Sequence, residues 1–232
     1  MSHDKTKYML HTRKTITKEN SIKLGNDEFL QVNEFQYLGS YITADSKTSF
    51  EIKERIKKGN KCYNMYKNIL SKKILSKTTK LRIYKTIIRP VVTYGAEAWT
   101  ITEKDANQLK VFERKILRKI FGPTLNPDGT WRIKTNDELD RLISQENIIR
   151  KIKSLRLGWA GHLYRMDQNR KTKKIADWKP VRKKHVGRPK KRWIDDLHED
   201  LRKMRIRNWK NEVNNRAKWK RIVEQAKTHK GL

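Results

Sequence analysis

The sequence predicts a mainly α-helical protein with a short antiparallel β-hairpin near its N-terminus, an α+β arrangement of a helical middle part and a basic helical tail. Three observations predict it. Apolar residues recur at helical spacing from residue 48 onward. Strand-like alternation with Gly and Asn turn signals is confined to residues 21–43. Apolar residues make up only 35% of the 232 positions and the mean hydropathy is -0.95. A chain that lean forms small cores joined by solvated surface.

In SIKLGNDEFLQVNEFQYLGSYIT, residues 21–43, Phe29 and Gln31 share one parity and Leu30 and Val32 the other. Gly25-Asn26-Asp27 is a turn cluster, so two or three short antiparallel strands are expected. Thr48-Ser49 is an N-cap candidate, after which Ile52, Ile56, Tyr63, Tyr66 and Leu70 follow an amphipathic helix to about residue 71. Ser76 to Trp99 forms a second, with Leu81, Tyr84, Ile88 and Val91 on one face and Pro90 set to kink it. Glu103 to Phe121 forms a third, on the stripe Leu109, Phe112, Ile116 and Ile120, stopped by Gly122-Pro123.

GPTLNPDGTWRI, residues 122–133, reads as a loop and a domain boundary. Helices are expected near 135–143 and 145–165. Residues 170–192 hold 12 Lys and Arg against one acid, Asp177, and read as a basic linker. Two terminal helices, near 191–204 and 211–226, complete the chain. The expected division is therefore 1–45, 46–122, 123–169, 170–192 and 193–232.

Charge narrows the function. The formal net charge is +32, from 57 Lys and Arg against 25 Asp and Glu. Such a surface attracts polyanions, and nucleic acid, RNA or DNA, is the partner expected. Seven Trp and eight Tyr argue against simple disorder. No apolar run is long enough to span a bilayer and MSHDKTKYML lacks an apolar signal core, so no membrane partner is expected. One cysteine, Cys62, excludes intramolecular disulfides and Cys-rich zinc sites. An intracellular setting, nucleus or cytoplasm, fits. No small-molecule substrate is evident.

Five blocks then carry a resemblance. FQYLG at 35–39, TKLRIYKTIIRPVVTYGAEAW at 79–99, LGWAGHLYRM at 157–166, GRPKKRWIDDL at 187–197 and RAKWKRIV at 216–223 occur in one order. Together they resemble the reverse transcriptases of non-LTR, LINE-type retrotransposons. The resemblance implies that FQYLG is similar to the primer-grip hairpin that closes the polymerase palm, with Tyr37, Leu38 and Gly39 at the grip. It implies that Lys5 matches a palm lysine near the incoming nucleotide. Residues 1–45 are then a palm remnant and 46–122 the thumb, which contacts template-primer through its backbone.

The palm aspartates of that family lie upstream of the grip, and only 34 residues precede Phe35. Phosphoryl transfer needs carboxylate-held metal ions. No catalytic residue, no metal site and no cofactor are therefore expected in this chain, although Mg²⁺ serves the full-length parent. The Asp-Asp of WIDDL does not substitute. Trp193, Leu197 and Leu201 fall at helical spacing, which makes Asp195 and Asp196 helix-start acids on a solvated face.

Gly187-Arg188-Pro189 has three readings. It is a basic linker whose proline opens a helix, a backbone contact to DNA or RNA, or a minor-groove hook with Arg188 inserted. Arg182, Lys183, Lys184, Lys190, Lys191 and Arg192 are the flanking phosphate-contact candidates. His162, His185, His198 and His229 match no zinc spacing. Trp178, Trp193, Trp209 and Trp219 are expected to anchor the cores of small helices rather than to stack on bases.

The expected function is thus non-catalytic nucleic-acid binding by a fragment of a retrotransposon reverse transcriptase, mostly through phosphates. The alternatives are a working reverse transcriptase or endonuclease module, and a protein-interaction or pseudogene remnant.

Overall fold

The computed structural model describes residues 6–10, 21–144, 146–178 and 191–232. The protein is mainly α-helical with short antiparallel hairpins, as the sequence predicts. It forms two compact units, residues 1–55 and 56–232.

In the first unit, residues 21–43 hold four strands in two hairpins rather than two or three strands. Strand β1 (Ser21–Leu24) pairs with β2 (Asp27–Leu30), and β3 (Glu34–Tyr37) with β4 (Ser40–Thr43). The registers Leu24↔Asp27 and Tyr37↔Ser40 leave two-residue turns, Gly25-Asn26 and Leu38-Gly39. Asn33 does break the sequence between the pairs. Tyr8 bridges to Gln31 in parallel sense, with Val32 donating to the Tyr8 carbonyl at 2.8 Å. Helix α1 (Ser49–Ser71) begins in this unit and continues into the second.

The second unit continues with α2 (Lys77–Ile83), a π-helical turn (Tyr84–Ile88), α3 (Arg89–Val92) and a 3₁₀ turn (Ala96–Ala98). Ser76 caps α2, its side chain accepting from Thr79 N. Pro90 does not simply kink one long helix. The Arg89 N–H bonds to the Tyr84 carbonyl, five residues back, and the wide turn absorbs the irregularity ahead of the proline. One extra residue per turn also rotates the buried face, so Tyr84, Ile88 and Val92 are buried where α-spacing predicted Val91. Helix α4 (Glu103–Phe121) is opened by a Thr102/Asp105 capping box.

Residues 122–133, read as loop, contain a minimal hairpin of β5 (Thr124–Leu125) and β6 (Trp131–Arg132). Its turn is fixed by Asp128, which accepts from Thr130 N and Oγ1, and by Gly129 at φ 83. Helices α5 (Asn136–Leu142), α6 (Ile148–Tyr164), α7 (Lys171–Asp177), α8 (Trp193–Lys203), α9 (Trp209–Asn214) and α10 (Arg216–Thr228) follow. The predicted last helix is split, because Asn215 is extended and its side chain caps α10 by accepting from Lys218 N.

Two apolar clusters hold this unit. Leu109, Phe112, Ile116 and Ile120 of α4 are buried, as are Tyr84 and Val92. Gly59 of α1 packs against Val92 and Phe112 with no room for a β-carbon. The second cluster joins Leu157 and Ala160 of α6 to Leu197 and Leu201 of α8, Val213 of α9, and Trp219 and Ala226 of α10. Trp193 and Trp209 pack on it half-buried, and Trp219 is 2% exposed. Trp178 departs from the expectation: it is 68% exposed, because the short α7 buries little beyond Lys173.

Candidate nucleic-acid interface

The tryptophan and aspartates of WIDDL are structural. Trp193 Nε1 donates to the Glu97 carbonyl at 2.7 Å, tying α8 to the 3₁₀ turn of TYGAEAW. Asp195 caps α8 through Arg192 N and the Arg192 guanidinium, at 3.0 and 3.1 Å. Asp196 does not lie on a solvated face, which corrects that expectation. It is 4% exposed and Asp200, one turn on, 2% exposed. Both face Arg156 of α6, itself 2% exposed, at 3.2 and 2.7 Å. Arg156 also donates to the Trp99 carbonyl at 3.0 Å. Lys153 pairs with Asp200 at 2.8 Å, and Lys191 with Asp196 and, at 2.9 Å, Glu199.

Two carboxylates thus meet three cations, and the burial of each charge is offset by opposite partners. Carboxylates so engaged are committed to joining α6 to α8. Among the described residues, no three His, Cys, Asp or Glu gather as a metal site.

The FQYLG turn is built differently. Leu38 at φ 47 and Gly39 at φ 82 give both turn positions the left-handed backbone of a type I′ hairpin. Glycine adopts this freely and leucine does so at a cost. The side chains of Tyr37 and Leu38 are 58% and 76% exposed. The turn and the start of β4 are clamped to the start of α1. Arg55 donates from Nη2 to the Gly39 carbonyl at 2.6 Å and pairs with Glu51 at 2.6 Å, and Glu51 accepts from Tyr41 N at 2.7 Å. Tyr41 meets Phe50 edge-on at 5.3 Å. A rigid platform therefore presents two apolar side chains to solvent.

A longer basic run lies elsewhere among the described residues. From Arg55 to Ala96 the chain carries twelve Lys and Arg and no Asp or Glu. Arg89 and Lys85 draw on Glu146, at 2.8 and 3.0 Å. Lys61, Lys67, Lys72, Lys73, Lys77 and Arg82 are exposed, and none has an ion pair among the described residues. On α1, Lys57, Lys61, Asn64 and Asn68 share one face that runs on to Lys72. That stripe is ~22 Å long at 1.5 Å per residue, close to the rise of about six base pairs. Lys115 of α4 lies beside it, its Nζ 5.5 Å from the Tyr63 ring.

A cleft of about 600 Å³ is lined by α4, α5, α6 and α8 residues of both signs, among them Lys110, Arg114, Lys203, Glu103 and Asp140. Its wall includes Glu113, buried at 2% exposure. Burial pushes this carboxyl up to about 7, against the opposing pull of hydrogen bonds from Ile148 N and the Tyr84 hydroxyl.

Of the sequence-predicted residues, Tyr37, Leu38 and Gly39 come together at one hairpin tip. Lys191 and Arg192 sit at the start of α8, each engaged with helix acids. Lys5, Arg182, Lys183, Lys184, Arg188 and Lys190 lie outside the described residues. The α1–α2 cations were missed, although the acid-free run that marks them is visible in the sequence. Among the described residues, no helix is long and apolar enough to cross a membrane.

Over 205 residues the chain is 28% identical to a Caenorhabditis elegans protein named an uncharacterised transposon-derived protein, covering 85% of this chain and 72% of that one. The likeness points to a transposable-element origin. No family model and no solved structure matches the chain.

Proposed function

We propose that this chain is a non-catalytic nucleic-acid-binding segment of a retrotransposon reverse transcriptase, holding template-primer mainly through phosphates. The observation that carries this reading is the set of exposed cations Lys61, Lys67, Lys72, Lys73, Lys77 and Arg82, on α1, the α1–α2 connection and α2, which have no ion pair among the described residues. Cations without carboxylate partners repel one another, and they lower their energy by taking up a polyanion. The helical character of residues 49–121 supports the thumb assignment, and the exposed Tyr37-Leu38-Gly39 tip supports the primer-grip assignment. The transposon-derived relative fits the same origin. The Asp-Asp of WIDDL gives no support to polymerase chemistry, since Arg192 holds Asp195 and Arg156 and Lys191 hold Asp196. In the full-length parent the same surfaces support RNA-directed DNA synthesis.

Two assays on the purified chain test this. Fluorescence anisotropy with a labelled template-primer at low salt gives saturable binding that weakens steeply as salt rises. Primer extension with Mg²⁺ gives no product. Absence of binding at low salt overturns the binding reading. Template-dependent extension overturns the non-catalytic one.

A further inference from the structure

Two grooves flank the short helix α9, and both are rich in arginine. The first, about 560 Å³, is lined by Arg202, Arg205, Arg207, His198, Leu201, Ile206 and Trp209, with no carboxylate. The three guanidinium groups are exposed and make no hydrogen bond or ion pair among the described residues. The connection that carries them is held in an unusual backbone: Arg205 at φ 58 and Asn208 at φ 47 are left-handed residues without glycine's freedom. Trp209 is half-buried, its ring 5.8 Å from His198 and edge-on to Tyr164 at 4.7 Å. The groove therefore has a cationic rim over an apolar and aromatic floor.

The second groove, about 490 Å³, lies at the other end of α9 and is lined by His162, Arg165, Met166, Asp167, Arg170 and Arg216. Arg165 is anchored, donating to the Val213 carbonyl at 2.9 Å. Burial and the neighbouring Arg216 both push its guanidinium below the ordinary range. Asp167 is drawn toward its own turn, accepting from Asn169 N at 2.7 Å. Like charges are gathered here with little to offset them.

We propose that these two grooves form one site for single-stranded nucleic acid, the Trp209 groove taking an unpaired base with its phosphate and the Arg165 groove another phosphate of the same strand. The proposal rests on the reading of the chain as a nucleic-acid binder and adds a location and a strand state. Helix α9 spans six residues, about 9 Å, a separation that a short stretch of one strand bridges. A duplex offers phosphates outward and hides its bases, so it has no use for an apolar floor. An unpaired nucleotide uses both parts, stacking on the aromatic floor while arginines hold its phosphate.

The test uses the full chain and a triple variant, Arg202→Gln, Arg205→Gln and Arg207→Gln, whose fold is checked by circular dichroism. Anisotropy at fixed salt is measured with a labelled oligothymidine and with a labelled duplex. The expected result is a loss of about tenfold or more for the single strand, with the duplex changed much less. Equal loss on both probes overturns the proposal and leaves general phosphate binding intact. Unchanged affinity for both overturns it too. Displacement of oligothymidine by a polyglutamate peptide at similar concentration also overturns it, marking the groove as a dock for acidic protein. If the unaltered chain binds neither probe, the wider nucleic-acid reading fails first.

Discussion

The indole of Trp219 lies over Gly161 so closely that a β-carbon at that position would collide with the ring. The same indole donates from Nε1 to the Leu157 carbonyl at 2.9 Å. LGWAGHLYRM and RAKWKRIV, two of the blocks legible in the sequence, are thus one contact in space. Gly161→Ala drives the ring out of the cluster and breaks its hydrogen bond. The expected cost is about 2–4 kcal/mol, read as a fall in melting temperature of roughly 5–15 °C. An unchanged melting temperature would show that α10 does not depend on this contact.

Arg156 is the second test of the same core. Its removal in Arg156→Met leaves Asp196 and Asp200 buried with only Lys153 and Lys191 to answer them. About 3–5 kcal/mol of stability should be lost. Asp200→Asn placed on that background should recover part of it, because one stranded charge is gone. If the double variant is the sum of two independent losses in urea denaturation, the cluster is not a coupled unit.

Glu113 gives the fold a pH dependence of a definite sign. Its folded carboxyl titrates at about 7 against an ordinary value of 4.5, chiefly because it is buried. Below 4.5 both folded and unfolded chains hold the proton. Between 4.5 and 7 the folded chain holds it more tightly, and above 7 both have lost it. Stability is therefore present at low pH and lost as pH rises through about 7, by up to roughly 3 kcal/mol. Glu113→Gln should flatten that part of the profile. An identical pH slope in the variant would assign the dependence to other groups.

Leu38 separates stability from function in the first unit. At φ 47 beside Gly39, it occupies a position that asparagine fills more easily. Leu38→Asn should stabilise the hairpin by about 0.5–1 kcal/mol while weakening template-primer binding, since an exposed apolar side chain leaves the tip. Tighter binding by this variant would remove Leu38 from the interface.

Much of the fold was legible because helical spacing is a local signal. Helix α1 starts at the Thr48-Ser49 pair and α4 stops at Gly122, both readable in sequence. What was not legible depends on distant partners. Asp196 looks like any solvated helix-start acid until Arg156, forty residues earlier, is folded against it. The Val91-to-Val92 shift of the buried face follows from a π turn that no simple period predicts. Trp178 has the composition of an anchor but no neighbouring element to anchor to. Part of the interface was legible and unread: attention to the dense basic block near residue 190 passed over the longer run without acids from 55 to 96.

That run is where the central claim meets measurement most directly. Affinity for a template-primer duplex is measured across a range of salt concentrations for the unaltered chain and for a variant carrying Lys61→Gln, Lys72→Gln, Lys73→Gln and Lys77→Gln. If these lysines contact phosphates, the slope of log affinity against log salt should become shallower by roughly one per lysine, about three to four in all. A variant that keeps both the affinity and the slope of the unaltered chain would contradict the account.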